Sequence, residues 1–134
     1  MALTSLEVVD QFLEASEDPT QLEKLTEVLD PQFRYYAGGT HLFSGFYGDT
    51  REAFFSRVAE LEKRWPSDAR VEIVAKWPVS DDLVVLHCRR TGTVDGETLD
   101  GGDYVWALRV ADGRIVEGVD LPGGRNNDFW TRHS

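Results

Sequence analysis

Ionisable side chains interrupt apolar stretches at a few places in this 134-residue chain. His87 and Arg89 lie in the extended run from Leu83 to Thr93, Asp103 adjoins the run Tyr104–Val110, and Asp120 falls near the end of Arg114–Leu121. A carboxylate or imidazole in an apolar cavity is desolvated, and its pKa moves toward neutrality. Such a group can give and take a proton at ordinary pH. His87, Asp103 and Asp120 are therefore the candidate catalytic acids or bases. Tyr35 and Arg89 are candidate hydrogen-bond donors to a substrate, with Tyr36, Phe46, Tyr47 and Trp106 as candidate binding walls.

Period-two alternation constrains where these groups can point. Val84, Leu86 and Cys88 form one wholly apolar face of their strand, which is the natural core side, while Leu83, Val85, His87 and Arg89 share the other. His87 and Arg89 then line the polar part of a cavity, or face solvent or a partner subunit. Taken singly, the aromatic residues are as well explained by a core. The run from Tyr35 to Tyr47 differs, because its rings flank glycines in a segment too short to shield them, which suits a ligand rim or a lid over a cavity mouth.

Other chemistries find little support. His41, His87 and His133 have no metal-ligand spacing with acidic residues, and no metal or cofactor is expected. Gly38-Gly39, Gly101-Gly102 and Gly123-Gly124 are turn pairs, since none leads from a strand into a helix as a phosphate loop does. The lone cysteine, Cys88, reads as a buried small hydrophobe. The formal charge of −10, from 14 basic and 24 acidic residues, repels phosphate backbones and anionic membrane surfaces. Neither nucleic acid nor membrane is an expected partner. Without a leader-like segment or a run of apolar residues long enough to span a bilayer, the expected location is the cytoplasm.

The elements that must carry these groups follow from spacing and breakers. Ser5 can cap a helix with Leu6, Val9, Phe12 and Leu13 on one stripe, ending before Asp18-Pro19. A second helix from about Thr20 to Leu29 stops at Asp30-Pro31. Phe33–Tyr36 is a short strand. A third helix starts near Asp49 or Thr50, carries Ala53, Phe54, Val58, Leu61 and Trp65, and breaks at Pro66. Strands follow over Val71–Trp77, Leu83 to about Thr93, Tyr104–Val110 and Arg114–Leu121, with short antiparallel connections. Phe129 and Trp130 are expected to dock on the sheet, with Gly123–Asn127 as a hinge. Residues 1–134 then form a single α+β domain, three N-terminal helices packed in a strongly curved, mostly antiparallel sheet.

Three segments resemble the nuclear transport factor 2-like superfamily, in its SnoaL-like and ketosteroid-isomerase-like branch. They are Leu29-Asp30-Pro31-Gln32-Phe33-Arg34-Tyr35; Gly45-Phe46-Tyr47-Gly48 with Ala53-Phe54-Phe55; and Ala111-Asp112-Gly113-Arg114-Ile115-Val116-Glu117 leading to Asp128-Phe129-Trp130. The resemblance implies a cone-shaped fold with an apolar cavity open at one end. It implies no single activity, because the superfamily includes isomerases, cyclases, hydrolases and plain binding modules.

Two departures bear on the chemistry. Where ketosteroid isomerases carry a base Asp the chain has Arg34, Tyr35 and Tyr36, and their second acidic group falls near Val105 or Trp106. Against the limonene-epoxide-hydrolase set, Arg89 and Asp120 match as possible neighbours, but Thr91 replaces the second Asp. A His87–Asp120 or His87–Asp103 pair would resemble the acid–base pairs of polyketide cyclases. The expected role is binding of an apolar small molecule, with acid–base isomerase, cyclase or hydrolase chemistry. The alternative is a non-catalytic ligand-binding module, or one that forms a homodimer through the outer face of the sheet.

Overall fold

The computed structural model of the chain describes residues 3–16 and 22–133. Helix α1 (Ser5–Ser16) opens with a reciprocal capping box. The Glu7 backbone N–H donates to Thr4 Oγ1 at 3.2 Å, and the Thr4 N–H donates to the Glu7 carboxylate at 3.0 Å. The cap is thus Thr4 and not Ser5, which is buried in the first turn. Val8, Val9, Phe12 and Ala15 form the buried stripe, with Leu6 and Leu13 packed at its margins. The expected end of this helix at Asp18-Pro19 and the start of the next at Thr20 lie outside the described residues.

Helix α2 (Leu22–Val28) runs directly into strand β1 (Leu29–Ala37). Pro31 therefore sits inside a strand instead of ending the helix. The strand tolerates it because its pairing with β6 is irregular between Leu29 and Arg34, where no ladder N–H is required of residue 31. A two-residue strand β2 (Gly45–Phe46) pairs with the end of β1 in the segment read as a loop. Helix α3 (Arg51–Glu62) is capped by Thr50, whose hydroxyl accepts the Ala53 N–H at 3.1 Å.

The remaining strands are β3 (Arg70–Ser80), β4 (Leu83–Val94), β5 (Glu97–Ala111) and β6 (Arg114–Pro122). β3 and β5 extend well past their expected ends. The six strands lie in the order β2-β1-β6-β5-β4-β3, with β1 parallel to β6 and the other neighbours antiparallel. The architecture is α+β, a curved, unclosed mixed sheet with helices on its inner face. After β6 the segment read as a hinge is instead helix α4 (Gly124–Arg132), which buries Asn126, Phe129 and Trp130 against the sheet. Paired glycines disguised its first turn, since Gly123 is the N-cap and carries no side-chain cap.

Alternation fixes which side chains meet. Cross-strand registers set Leu86 opposite Trp106 and Trp106 opposite Asp120, with Cys88, Tyr104 and Pro122 in the next inner row. On β1, Phe33, Tyr35 and Ala37 are buried on this same side. Val84, Leu86 and Cys88 are fully buried there, and the Val84 or Leu86 side chain contributes about 1.5–3 kcal/mol when removed from water.

One turn controls how α3 meets this surface. Gly48, with φ +108°, joins β2 to α3, and a Cβ there would lie 2.4 Å from the Ala53 Cβ. Gly48→Ala should lower unfolding stability by about 1–3 kcal/mol through backbone strain and this clash, read as a lower denaturant midpoint with an unchanged slope. A midpoint equal to that of the parent chain would show that the turn relaxes freely.

Candidate functional site

The inner face of the sheet, α1 and α3 enclose a cavity of about 500 Å³. Its apolar walls include Phe12, Phe33, Phe54 and Phe55, and Tyr35, Tyr47, Trp106 and Asp120 also line it. Alternation explains the composition, because Tyr35, Trp106 and Asp120 come from three adjacent strands and share the face that packs on the helices. Gly118 lies beside Tyr35 in register. A Cβ at Gly118 would stand 3.1 Å from Tyr35 Cδ2, so the absent side chain makes room for the phenol ring.

Three of these residues form a directed hydrogen-bond chain. Trp106 Nε1–H donates to the Tyr35 hydroxyl oxygen at 3.2 Å, and that hydroxyl donates to Asp120 Oδ2 at 3.1 Å. Each donation polarises the next, so the carboxylate meets a strengthened donor. Burial raises the Asp120 pKa above the ordinary carboxylate value, and the Arg90 charge with the Trp106 and Tyr35 donors only partly opposes this. Burial also holds the Tyr35 hydroxyl well above its usual value, which keeps the phenol a donor at neutral pH. A desolvated carboxylate facing apolar space beside a neutral phenol is equipped to exchange a proton with a bound molecule.

The other sequence candidates lie elsewhere. His87, Arg89 and Asp103 occupy the opposite face of the sheet. Arg89 Nε–H donates to Asp103 Oδ1 at 3.0 Å, and His87 Nε2 lies 3.3 Å from the same oxygen. The Arg89 and Asp103 side chains are 41% and 48% exposed. The expected proximity of Arg89 to Asp120 is therefore corrected, since one faces outward on β4 and the other inward on β6, with β5 between them. Of the two histidine pairings left open, the structure contains His87–Asp103. The Arg89 hydrogen bond, ahead of His87, holds the Asp103 carboxyl below the usual range. Trp77 stacks over His87 with ring centroids 6.4 Å apart. Tyr36 and Phe46 face each other across β1 and β2 outside the cavity, 46% and 54% exposed.

Three cavity residues escaped the sequence reading. Arg90 continues the inner row Val84, Leu86, Cys88 by the same period-two parity. Its guanidinium carbon lies 4.5 Å from the Trp65 ring centroid and 4.4 Å from that of Tyr104. His41 lines the same space, and burial followed by the Arg90 charge pushes its pKa down to about 4. Its Nδ1 accepts the Phe43 N–H at 3.1 Å, so the neutral ring carries its proton on Nε2. Asn126 is buried, donates weakly to the Asp103 carbonyl at 3.4 Å, and leaves Oδ1 without a hydrogen-bond partner. Neither residue announced itself, because α4 and the loop carrying His41 are placed by tertiary packing. Among the described residues no group of three or more His, Cys, Asp or Glu side chains is placed to hold a metal ion, and no helix is long and apolar enough to cross a membrane.

Sequence comparison finds neither a matching family model nor a matching curated protein. Comparison of structures finds the fold clearly. An NTF2-like protein from Burkholderia thailandensis superposes with TM-score 0.80 at 15% identity, covering 97% of this chain and 98% of its own. A Jannaschia protein assigned as a SnoaL-like polyketide cyclase gives 0.73 at 19% identity, covering 97% and 92%. TerC, co-crystallised with polyporic acid, gives 0.72 at 15% identity, covering 96% and 98%. The chain has the nuclear transport factor 2-like fold, in the form shared by NTF2-like and SnoaL-like proteins.

The raised Asp120 pKa has a stability consequence of definite sign. The folded chain binds this proton more tightly than the unfolded chain, so the contribution is full below the unfolded value near about 4 and is lost as pH rises through the folded value. Asp120→Asn retains an oxygen for the Tyr35 hydroxyl and removes the titration. The wild-type Tm minus the D120N Tm should fall as pH rises from about 4 and then level off. A difference that stayed flat or increased with pH would mean that Asp120 is not desolvated.

Proposed function

We propose that this chain binds an apolar, ring-containing small molecule in the cavity and moves a proton on it through Asp120. The observation that carries the reading is the partly buried carboxylate at the end of the Trp106–Tyr35 chain, its proton affinity raised by desolvation, facing a space of ligand size. In this reading Asp120 accepts a proton from an acidic C–H or O–H of the ligand and returns it at another position. Tyr35 orients the carboxylate and Trp106 orients Tyr35. Isomerase, cyclase and hydrolase chemistry all use such a step. The SnoaL-like cyclase assignment and the polyporic acid complex among proteins of the same fold support a ring compound as ligand. His87, Asp103 and Arg89 have no part in this mechanism, since they lie across the sheet from the cavity.

A second reading concerns assembly and rests on a different observation. Edge strand β3 exposes Val71, Ile73, Val74, Trp77 and Val79, an apolar density that isolated edges usually avoid. A homodimer burying this surface accounts for it and is compatible with the ligand reading. Sedimentation at micromolar concentration should then give twice the chain mass of 15.1 kDa, and a monomer would remove the proposal.

Proton transfer can be tested without knowing the natural substrate. 2-Tetralone is a two-ring ketone whose α C–H exchanges with solvent deuterium through an enolate. The chain should accelerate this exchange, followed by NMR, and D120N should lose about 100-fold or more of the acceleration. Tyr35→Phe should lose less, since the carboxylate survives. Exchange no faster than in buffer, or equal in D120N and wild type, would refute the acid–base role.

A further inference from the structure

The role of Arg90 is not accounted for by proton transfer at Asp120. Its guanidinium carbon lies over the rings of both Trp65 and Tyr104, and Trp65 is braced by Trp130, with ring centroids 5.3 Å apart and planes 13° from parallel. Two cation–π contacts anchor the guanidinium over these rings, and its N–H groups still need hydrogen-bond acceptors. The Nε atom is buried without a hydrogen-bond partner, and no ion pair joins Arg90 to a carboxylate among the described residues.

That isolation is unusual in a chain with ten more acidic than basic residues. A guanidinium partly withdrawn from water, with its Nε fully buried, is costly unless paired, and a structural arginine would be expected to hold a carboxylate or a row of carbonyls. The polar groups lining the same cavity do not supply a partner. His41 is neutral at ordinary pH. Asp120 feels the Arg90 charge, but it is hydrogen-bonded by the Tyr35 hydroxyl and makes no ion pair with Arg90, and neither does Glu62 on α3. Asn126 Oδ1, also buried and without a partner, lines the same cavity and adds a second unmet polar group to it.

We infer that the ligand carries an anionic oxygen group, a carboxylate or an ionised enol or phenol, which docks on the N–H edge of Arg90 between Trp65 and Tyr104. This deepens the proposed function and rests on the cavity being a ligand site. It narrows the substrate class from apolar ring compounds to acidic ones. It also separates two tasks within one cavity: Arg90 anchors and orients the molecule, while Asp120 acts on it. Arg90 is in this sense a binding and specificity residue.

A matched pair of probes tests the inference. 2-Naphthoate and 2-naphthamide share ring system and size and differ in charge at neutral pH. By titration calorimetry, wild type should bind the carboxylate about tenfold or more tightly than the amide, as expected for a charged hydrogen-bonded pair away from water. Arg90→Met, which keeps an unbranched apolar stem between the two rings, should abolish this preference while changing amide affinity by less than about threefold. Arg90→Lys, which keeps charge but not the planar fork, should retain part of it.

Equal, measurable binding of both probes to wild type overturns the inference and leaves the cavity reading intact. A preference that persists in R90M also overturns it, because another group would then hold the carboxylate. Binding of neither probe overturns the ligand-site reading and this inference together. The wild-type comparison requires no variant to fold.

Discussion

Keeping the Asp120 carboxylate out of water requires a hydrogen-bond donor at its oxygen, a wall that excludes solvent, and enough fold stability to bear the cost of burying an acid. The Tyr35 hydroxyl is the donor, and its own oxygen is satisfied by the Trp106 indole. Both rings need room on a crowded sheet, which is why Gly118 lies in register with Tyr35. Both also need lateral support. Tyr35 makes edge contacts with Tyr47 and Trp106 at 4.9 and 6.3 Å between centroids, and Trp106 packs on Phe12 of α1 at 5.7 Å. Such pairs add about 0.5–1.5 kcal/mol each beyond their buried area, and they hold the cavity open without filling it.

The same sheet carries two polar systems with opposite physics. On the inner face Asp120 is desolvated and its proton affinity is raised. On the outer face Asp103 sits among Arg89 and His87 in contact with solvent, and its proton affinity is lowered. The outer cluster resembles a catalytic triad in residue types alone. Its charges are screened and its carboxylate is already compensated, so it lacks the unmet demand that drives proton transfer. It lies beside Trp77 and next to the apolar edge strand β3, on the face of the sheet away from the cavity.

How much of this was legible in the sequence depended on whether the signal was local. Helical spacing in α1 and α3, the Thr50 cap and the long alternating strands are properties of neighbouring residues, and they gave the α+β architecture directly. Tyr35, Tyr47, Trp106 and Asp120 were also visible, because polar or aromatic groups interrupt apolar runs there. The face each residue occupies was a different matter. Alternation correctly separated His87 and Arg89 from Val84, Leu86 and Cys88, yet nothing local related the parity of β4 to that of β6. The resemblance to the limonene-epoxide-hydrolase set implied that Arg89 neighbours Asp120, and the sheet order separates them. Arg90 faces inward because strand parity puts it on the Val84–Leu86–Cys88 face, where Trp65 from after α3 and Tyr104 from β5 pack on it.

Stability alone does not account for the inner face. A core optimised for packing would fill about 500 Å³ with side chains and would have no reason to retain a buried Arg90 Nε or Asn126 Oδ1 without partners. Nor would it leave Phe54, Phe55 and Val58 of α3 only partly covered, since each would gain by closing on the sheet. These costs all fall on one side of one sheet, and they share one space. A molecule that brought apolar rings for the walls and an oxygen anion for the guanidinium would relieve these costs together, which is the physical ground of the anionic-ligand proposal.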